Sequence, residues 1–166
     1  MIKAPEPVQI NIVGAADWLD APLRRFVRDS GVKRAIVLRP DGRVLAQLGF
    51  ASAAEVMTAC TLAAAINATG KELGRQLAGS PFTGLHQGGR VQGVFMGTCP
   101  AGGKECLLLA AFDRNSTLGL VRLYFAEFRE ALGCVIDSDR RGSGARDLES
   151  DLNSSLDSLF GPLSRF

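Results

Sequence analysis

VMTACTLAAAINATG, the fifteen residues from Val56 to Gly70, contain no charged side chain, and this stretch decides the fold. Its composition is helical, but Thr58, Thr61 and Asn67 interrupt its apolar character, and a membrane span needs about 20 predominantly apolar residues. A helix without charge on any side is buried on all sides. In a chain of 166 residues, one layer of core covers one face of such a helix. The sequence therefore predicts that a partner, or a long loop of the same chain, covers the other face.

This helix and its continuation to Leu77 have two faces when they are wound at about 3.6 residues per turn. The predicted core face carries Ala59, Leu62, Ile66, Gly70, Leu73 and Leu77. The predicted outer face carries Met57, Cys60, Thr61, Ala64 and Ala68. Small side chains let a second backbone approach closely, so we expect helix-on-helix contact at the outer face.

The overall composition indicates one domain with a substantial core. Hydrophobic residues make up 46% of the chain, charged residues make up 22%, and the net charge is +2. A charge this close to zero, without a basic stripe, argues against a nucleic-acid partner. Residues 1–14 lack the apolar segment of a secretory signal, so we expect a cytoplasmic protein.

Hydrophobic periodicity and turn residues divide residues 15–136 into helices and strands. The predicted elements are a helix near 18–27 that ends at Gly31, strands 32–39 and 43–50 joined by a turn at 39–42, the uncharged helix 52–77, strands 82–87, 90–99 and 105–113, and a last helix that ends at Gly133. The apolar run from Cys106 to Phe112 predicts a central strand that is buried on both faces. The order α-β-β-α-β-β-β-α predicts an α+β fold, an α/β/α sandwich whose five-stranded, mostly antiparallel sheet lies between helices.

The two ends of the chain differ from this domain in composition and in hydrophobic pattern. Residues 1–14 are expected to be a flexible lead, and the composition of 137–146 is that of a linker. Residues 147–166 form an amphipathic segment whose apolar positions are Leu148, Leu152, Leu156, Leu159 and Phe160. A helix this short is marginal in water by itself, so the segment either docks on its own domain or folds on a partner.

The residues that carry chemistry are sparse, and we expect no enzyme, no cofactor and no metal. The cysteines at 60, 99, 106 and 134 show no CxxC spacing, and His86 is the single histidine. Cys99 and Cys106 flank a turn-like segment and are expected to face each other across a hairpin as reduced thiols. The carboxylates of Asp41, Glu105 and Asp113 are expected in turns or at strand ends.

Several segments together resemble one family. FDRNSTLGLVRLYFAEFREAL, residues 112–132, resembles the end of the Roadblock/LC7 domain, and VKRAIVLRPDGRVLA resembles the first hairpin of that family, which has a profilin/longin-like fold. Leu85-His86-Gln87-Gly88 resembles the third strand and turn of its bacterial MglB type, and DLNSSLDSLF, 151–160, resembles the acidic tail of that type. The resemblance covers about residues 15–135, with the tail as a separate element.

The resemblance implies a homodimer in which third strands pair edge to edge and second helices pack together. The dimer strand would then carry Phe82, Thr83, Leu85, His86 and Gln87. Proteins of the MglB type bind a small Ras-like GTPase that sets cell polarity and gliding motility, and they stimulate GTP hydrolysis without inserting an arginine finger. The residues implied to bind the partner are Met57, Thr61, Ala64, Ala65 and Ala68 on the second helix, and Leu152, Leu156, Leu159 and Phe160 on the tail.

Two alternatives remain open at this point. One is a Roadblock adaptor that bridges other proteins without acting on a GTPase. Its partners would include other Roadblock proteins or polarity proteins. The other is a ligand-sensing domain of related architecture, which requires a cavity between sheet and helix. The chain departs from the MglB pattern at Ile66-Asn67 and at Lys71-Glu72, which weakens the expectation of GTPase contact more than that of dimerisation.

Overall fold

The computed structural model describes residues 17–134, which form a five-stranded sheet between helices. The elements are α1 (Asp17–Ser30), β1 (Arg34–Leu38), β2 (Val44–Leu48), α2 (Ala53–Ala78), β3 (Gly84–Gly88), β4 (Gly93–Ala101), β5 (Lys104–Phe112) and a third helix, α3, over 118–134. The predicted order and the α+β class are confirmed. The predicted lead 1–14, the linker 137–146 and the amphipathic segment 147–166 lie outside the described residues.

All strand pairs are antiparallel, and the strand order is β2-β1-β5-β4-β3. The predicted central strand is confirmed, because β5 lies in the middle of the sheet with Leu107 and Leu108 fully buried. The predicted turn between β1 and β2 is also present. Gly42 has a φ of 88°, and its N–H donates to the Arg39 carbonyl oxygen at 2.9 Å.

Helices cover both faces of the sheet, as the sequence predicts. One core layer joins α1 and α3 to the sheet through residues such as Leu19, Phe26, Leu108 and Phe128. The α1 helix ends where predicted, since Gly31 takes a φ of 70° directly after Ser30. The second layer joins α2 to the opposite face of the sheet.

The prediction for the core face of α2 is wrong. The side chains that α2 buries are Val56, Cys60, Ala63, Asn67 and Gly74. The predicted core residues Leu62, Leu73 and Leu77 are instead 58%, 49% and 74% exposed, and Ile66 is 40% exposed. The hydrophobic periodicity correctly predicted that the leucines and Ile66 share one side of the helix, but it wrongly predicted that this side faces the sheet. None of the buried side chains is larger than valine or asparagine, and near its C-terminal end the helix lies so close to the following chain that a Cβ on Gly74 would stand 2.6 Å from the Phe82 nitrogen.

Several predicted boundaries also change; β4, predicted over 90–99, spans Gly93–Ala101. β3 begins at Gly84, so Phe82 and Thr83 precede the strand. The Thr83 carbonyl oxygen still accepts a bond from the Thr98 N–H at 2.9 Å, which extends the pairing with β4 by one residue. Gly133 does not end α3, because residues 133 and 134 are helical and Gly133 lacks the positive φ of a helix-ending glycine.

Candidate partner-binding surfaces

An apolar stripe on one side of α2, here called the Leu flank, consists of Leu62, Ile66, Leu73 and Leu77. The spacing places these side chains along one line of the helix surface. The Leu flank faces β3, since Ile66 and Gly70 border a shallow groove whose other wall is formed by Phe82 and Leu85. Phe82 is itself 38% exposed and continues the apolar surface toward the sheet edge. An uncovered surface of this kind on a single protomer indicates an interaction site.

The β3 edge, Gly84–Gly88, runs beside this surface. β3 pairs with β4 on one side, and its other side has no strand partner among the described residues. Leu85 packs toward α2, whereas the His86 ring stacks on Phe112 on the opposite face, with 6.0 Å between the ring centroids. His86 and Gln87 are exposed, and both lie on the strand that the resemblance implies for the dimer. An open edge offers unpaired N–H and C=O groups to another strand.

The other side of α2, here called the small-residue flank, carries Met57, Thr61, Ala64 and Ala68, with Ala65 at the outermost line of the helix. Met57 is 61% exposed, Thr61, Ala65 and Ala68 are exposed, and Ala64 is half-buried above the turn at Gly42. The Thr61 hydroxyl donates to the Met57 carbonyl oxygen at 2.9 Å, so it does not leave an unpaired donor on this surface. Cys60, which the sequence placed here, is buried beneath the helix.

Charged residues close the small-residue flank at its C-terminal end, and they are paired. Lys71 forms an ion pair with Glu105 at the start of β5. The Arg75 guanidinium lies 3.1 Å from the Glu72 carboxylate within α2. The rest of this flank, over about three turns of helix, is uncharged. Such a surface suits contact with another protein more than it suits chemistry.

Two of the acidic side chains that the sequence placed in turns have structural roles. Asp41 accepts a bond from the Arg43 N–H at 3.0 Å, and Asp113 accepts one from the Asn115 N–H at 2.9 Å, so each stabilises its own turn. Within residues 17–134, no group of three or more His, Cys, Asp or Glu side chains is placed to hold a metal ion.

The cysteine prediction is confirmed in its geometry, since Cys99 lies directly opposite Cys106 in the β4–β5 ladder and both are free thiols. Burial raises the pKa of Cys99 to about 12, and Cys106 opposite it contributes in the same direction. Burial also raises the pKa values of Cys60 and Cys106. These thiols therefore stay protonated and unreactive at neutral pH.

Three cavities lined by residues 17–134 are small for a ligand. The groove between α2 and β3 has a volume of about 20 Å³, and the one between α1 and α3 has about 30 Å³, whereas small-molecule sites usually have about 300–1,000 Å³. A more open cleft of about 190 Å³ lies beside His86, Arg90 and Arg114 at the end of the β3–β4 hairpin. None of these three gives a ligand sensor the enclosed cavity between sheet and helix that it requires.

Solved structures share this arrangement of sheet and helices. MglB of Myxococcus xanthus superposes with a TM-score of 0.66 at 20% identity, over 74% of this chain and 98% of that one. An MglB described with a tetrameric arrangement gives 0.63 at 24% identity, over 81% and 98%. A Roadblock/LC7 domain from Streptomyces avermitilis gives 0.60 at 16% identity, over 72% and 96%. The chain has the Roadblock/LC7 fold. No protein-family model and no curated protein matches its sequence.

The sequence predicted the small-residue flank and the residues at the sheet edge, but it did not predict that the Leu flank is exposed. The predicted residues Met57, Thr61, Ala65 and Ala68 share one exposed flank, whereas Phe82, Leu85, His86 and Gln87 lie at or beside the sheet edge. The Leu flank was missed as a surface, although its spacing of four, seven and four residues, typical of a helix-pairing seam, was visible in the sequence. The predicted tail residues Leu152, Leu156, Leu159 and Phe160 lie outside the described residues. Among the described helices, none is long and apolar enough to cross a membrane.

Proposed function

We propose that this protein is a homodimeric regulator of the Roadblock type that binds a small Ras-like GTPase in its GTP form and stimulates GTP hydrolysis. The observation that carries the proposal is the division of α2 into two uncovered surfaces on opposite sides of one helix. The Leu flank adjoins the open β3 edge, and the small-residue flank points away from it. One helix therefore has a separate surface for each of two partners.

The Leu flank and the β3 edge support a dimer that uses both at once. An isologous contact that pairs β3 with β3 of a second copy brings the two Leu flanks together on the same face of the joined sheet. This contact removes the open edge and the exposed leucines in one step. The four side chains of the Leu flank and Phe82 are the largest apolar groups that the contact buries. The MglB neighbour with a tetrameric arrangement is in keeping with self-association.

The small-residue flank supports a GTPase contact without an arginine finger. Met57, Thr61, Ala65 and Ala68 form a surface with short side chains, on which switch segments of a GTPase can pack closely. Arg75, the nearest guanidinium along the helix, lies at the C-terminal end of this flank and pairs there with Glu72 at 3.1 Å. Stimulation then acts by ordering catalytic groups that the GTPase already contains. The tail residues Leu152, Leu156, Leu159 and Phe160 are proposed to contact the same GTPase elsewhere.

The test mixes the full chain with a Ras-like GTPase encoded by a neighbouring gene, loaded either with GDP or with a non-hydrolysable GTP analogue. A complex that forms with the GTP analogue alone, and a higher rate of GTP hydrolysis when GTP is supplied, are expected. A stable dimer that forms no complex and leaves the rate unchanged contradicts the proposal. That outcome favours the adaptor, for which the charged Lys71 and Glu72 at the end of the flank already argue.

A further inference from the structure

The sheet has a second open edge, at β2 (Val44–Leu48), on the side away from β3. β2 pairs with β1, and no other described strand borders it. Its sequence VLAQL contains neither a charged residue nor a proline, the two features that usually prevent an exposed edge from pairing with foreign strands. A β-bulge at Leu45, between Val44 and Ala46, is the one irregularity in its pairing with β1. The edge is thus apolar and otherwise regular.

A buried acceptor on this strand lacks a donor. The Oε1 atom of Gln47 is buried and has no hydrogen-bond partner among residues 17–134. Gln47 lies opposite Ile36, which belongs to the core layer beneath α2, so its side chain is on the α2 face of the sheet. An unsatisfied buried polar atom costs about 1–3 kcal/mol. A hydrogen-bond donor on a segment that lies beside β2 would satisfy this acceptor.

Residues 1–14 as a whole were expected to be a flexible lead, but a shorter segment within them has the pattern of such a strand. Residues 8–13 read VQINIV, in which Val8, Ile10 and Ile12 alternate with Gln9 and Asn11. The alternation of apolar and polar residues over 8–12 indicates a strand with one buried face. Both polar residues are amides, whose NH₂ groups are donors.

The position of α1 brings this segment to β2. α1 is followed within a few residues by β1, and it packs on β1 and β2, so it runs back along them. Its first residue, Asp17, therefore lies near the end of β1 and the start of β2. Residues 14–16 span about 10 Å at full extension. A strand that ends at Val13 can thus reach Val44 and run antiparallel to β2.

We propose that residues 8–13 pair with the open edge of β2 in the same chain, as a sixth, antiparallel strand. In this arrangement, Ile10 and its apolar neighbours lie beside Ala46 and Leu48 on the α1 face, where both contact the core. Gln9 and Asn11 lie on the α2 face, and one of their amides donates to Gln47 Oε1. The sixth strand leaves β3 as the open edge, which restricts self-pairing of the sheet to one side.

Amide hydrogen exchange of the full-length protein, measured by NMR, tests this pairing. Alternate amides of residues 8–13 are expected to exchange at least about tenfold more slowly than in an unstructured peptide. The adjacent variants Ile10→Pro and Asn11→Pro each remove one N–H, and one of the two must point toward β2. That variant is expected to abolish the protection of 8–13 and to accelerate exchange of the outward amides of β2 by about tenfold. Ala4→Pro, the matched control outside the segment, is expected to change neither.

The side-chain bond has its own readout. The amide protons of Gln9 or Asn11 are expected to exchange slowly in the natural protein and rapidly in Gln47→Leu, while β4 and β5 amides keep their protection and report an intact fold. Exchange of 8–13 at the rate of an unstructured peptide would overturn the proposal. Protection that rises with protein concentration would overturn it as well, because the strand would then come from a second copy.

Discussion

Gly74 of α2 lies against the backbone of Phe82, so closely that a Cβ on Gly74 would stand 2.6 Å from the Phe82 nitrogen and 2.7 Å from the Ser80 carbonyl oxygen. The chain reverses at Gly79, whose φ is 72°, and passes directly beneath the last turns of the helix. This contact fixes the distance between α2 and β3, and with it the relative position of the Leu flank and the sheet edge.

Gly74→Ala is expected to lower the free energy of unfolding by about 1–3 kcal/mol, because the added methyl group meets backbone atoms that cannot move aside cheaply. Gly70→Ala is the matched control, since a Cβ there meets nothing within 4 Å. It is expected to raise the stability by about 0.5–1 kcal/mol through the better helix propensity of alanine. Urea denaturation of both variants measures the difference, and equal effects would contradict the close approach.

The two flanks of α2 are expected to be separable by mutation. Ile66→Arg places a charge in the proposed dimer contact and is expected to weaken dimerisation by roughly a hundredfold, or about 3 kcal/mol. Ala68→Arg places the same charge on the small-residue flank and is expected to leave the dimer intact while it abolishes GTPase binding. Light scattering and a GTP hydrolysis assay provide the two readouts. If Ala68→Arg is monomeric and Ile66→Arg is not, the assignment of the flanks is reversed.

Alkaline pH is expected to destabilise the fold through its buried thiols. Burial raises the pKa of Cys99 to about 12 in the folded protein, against an ordinary value of 9.0 for a thiol, so the folded state holds its proton where the unfolded state releases it. The stabilising contribution is complete below pH 9 and is lost as the pH rises toward 12, with a slope of at most about 1.4 kcal/mol per pH unit for this thiol. Cys99→Ala is expected to flatten this dependence when unfolding is measured at several pH values. An identical slope in the variant would show that other groups cause the loss.

The four cysteines are also expected to differ in reactivity. Cys134 is exposed, whereas Cys60, Cys99 and Cys106 are buried. One thiol per chain is therefore expected to react quickly with a thiol reagent at neutral pH, and three more are expected after unfolding. Cys134→Ser serves as the control and should abolish the fast phase. A fast phase of more than one thiol would place a second cysteine at the surface.

Deletion of residues 147–166 is expected to leave the fold and the dimer intact, because residues 17–134 already form both core layers. If the deleted segment contacts the GTPase, the affinity for the GTPase falls while the melting temperature stays unchanged. Loss of solubility on deletion would show instead that the segment covers its own domain.

The sequence predicted element types and their order because these depend on local signals. The Pro40-Asp41-Gly42 turn, the glycine after α1 and the apolar run of β5 each act within a few residues, and the structure confirms all of them. The ends of helices and strands were mispredicted where a residue such as glycine occurs both inside helices and at their ends. Gly133 is an example, since a glycine ends a helix only when it takes a positive φ, and the sequence does not show the φ.

The face of α2 that meets the sheet was not predictable by the same reasoning. Hydrophobic periodicity assumes that the largest apolar residues point inward, and Leu62 and Leu73 violate this assumption. Cys60, Ala63 and Gly74 lie inside because the sheet and the following chain approach the helix closely, which is a long-range property. The Leu flank could therefore be identified as a candidate surface only when the burial of each side chain was known.

The register of the sheet has a consequence for how the chain folds. Arg34 at the start of β1 pairs with Ala111 near the end of β5, so the central pair joins residues that are far apart in sequence. During synthesis, the β1–β2 hairpin and α2 emerge well before the strand on which both depend. Their apolar sides stay uncovered until β5 leaves the ribosome, and this interval is when the nascent chain is most exposed to chaperones and to aggregation.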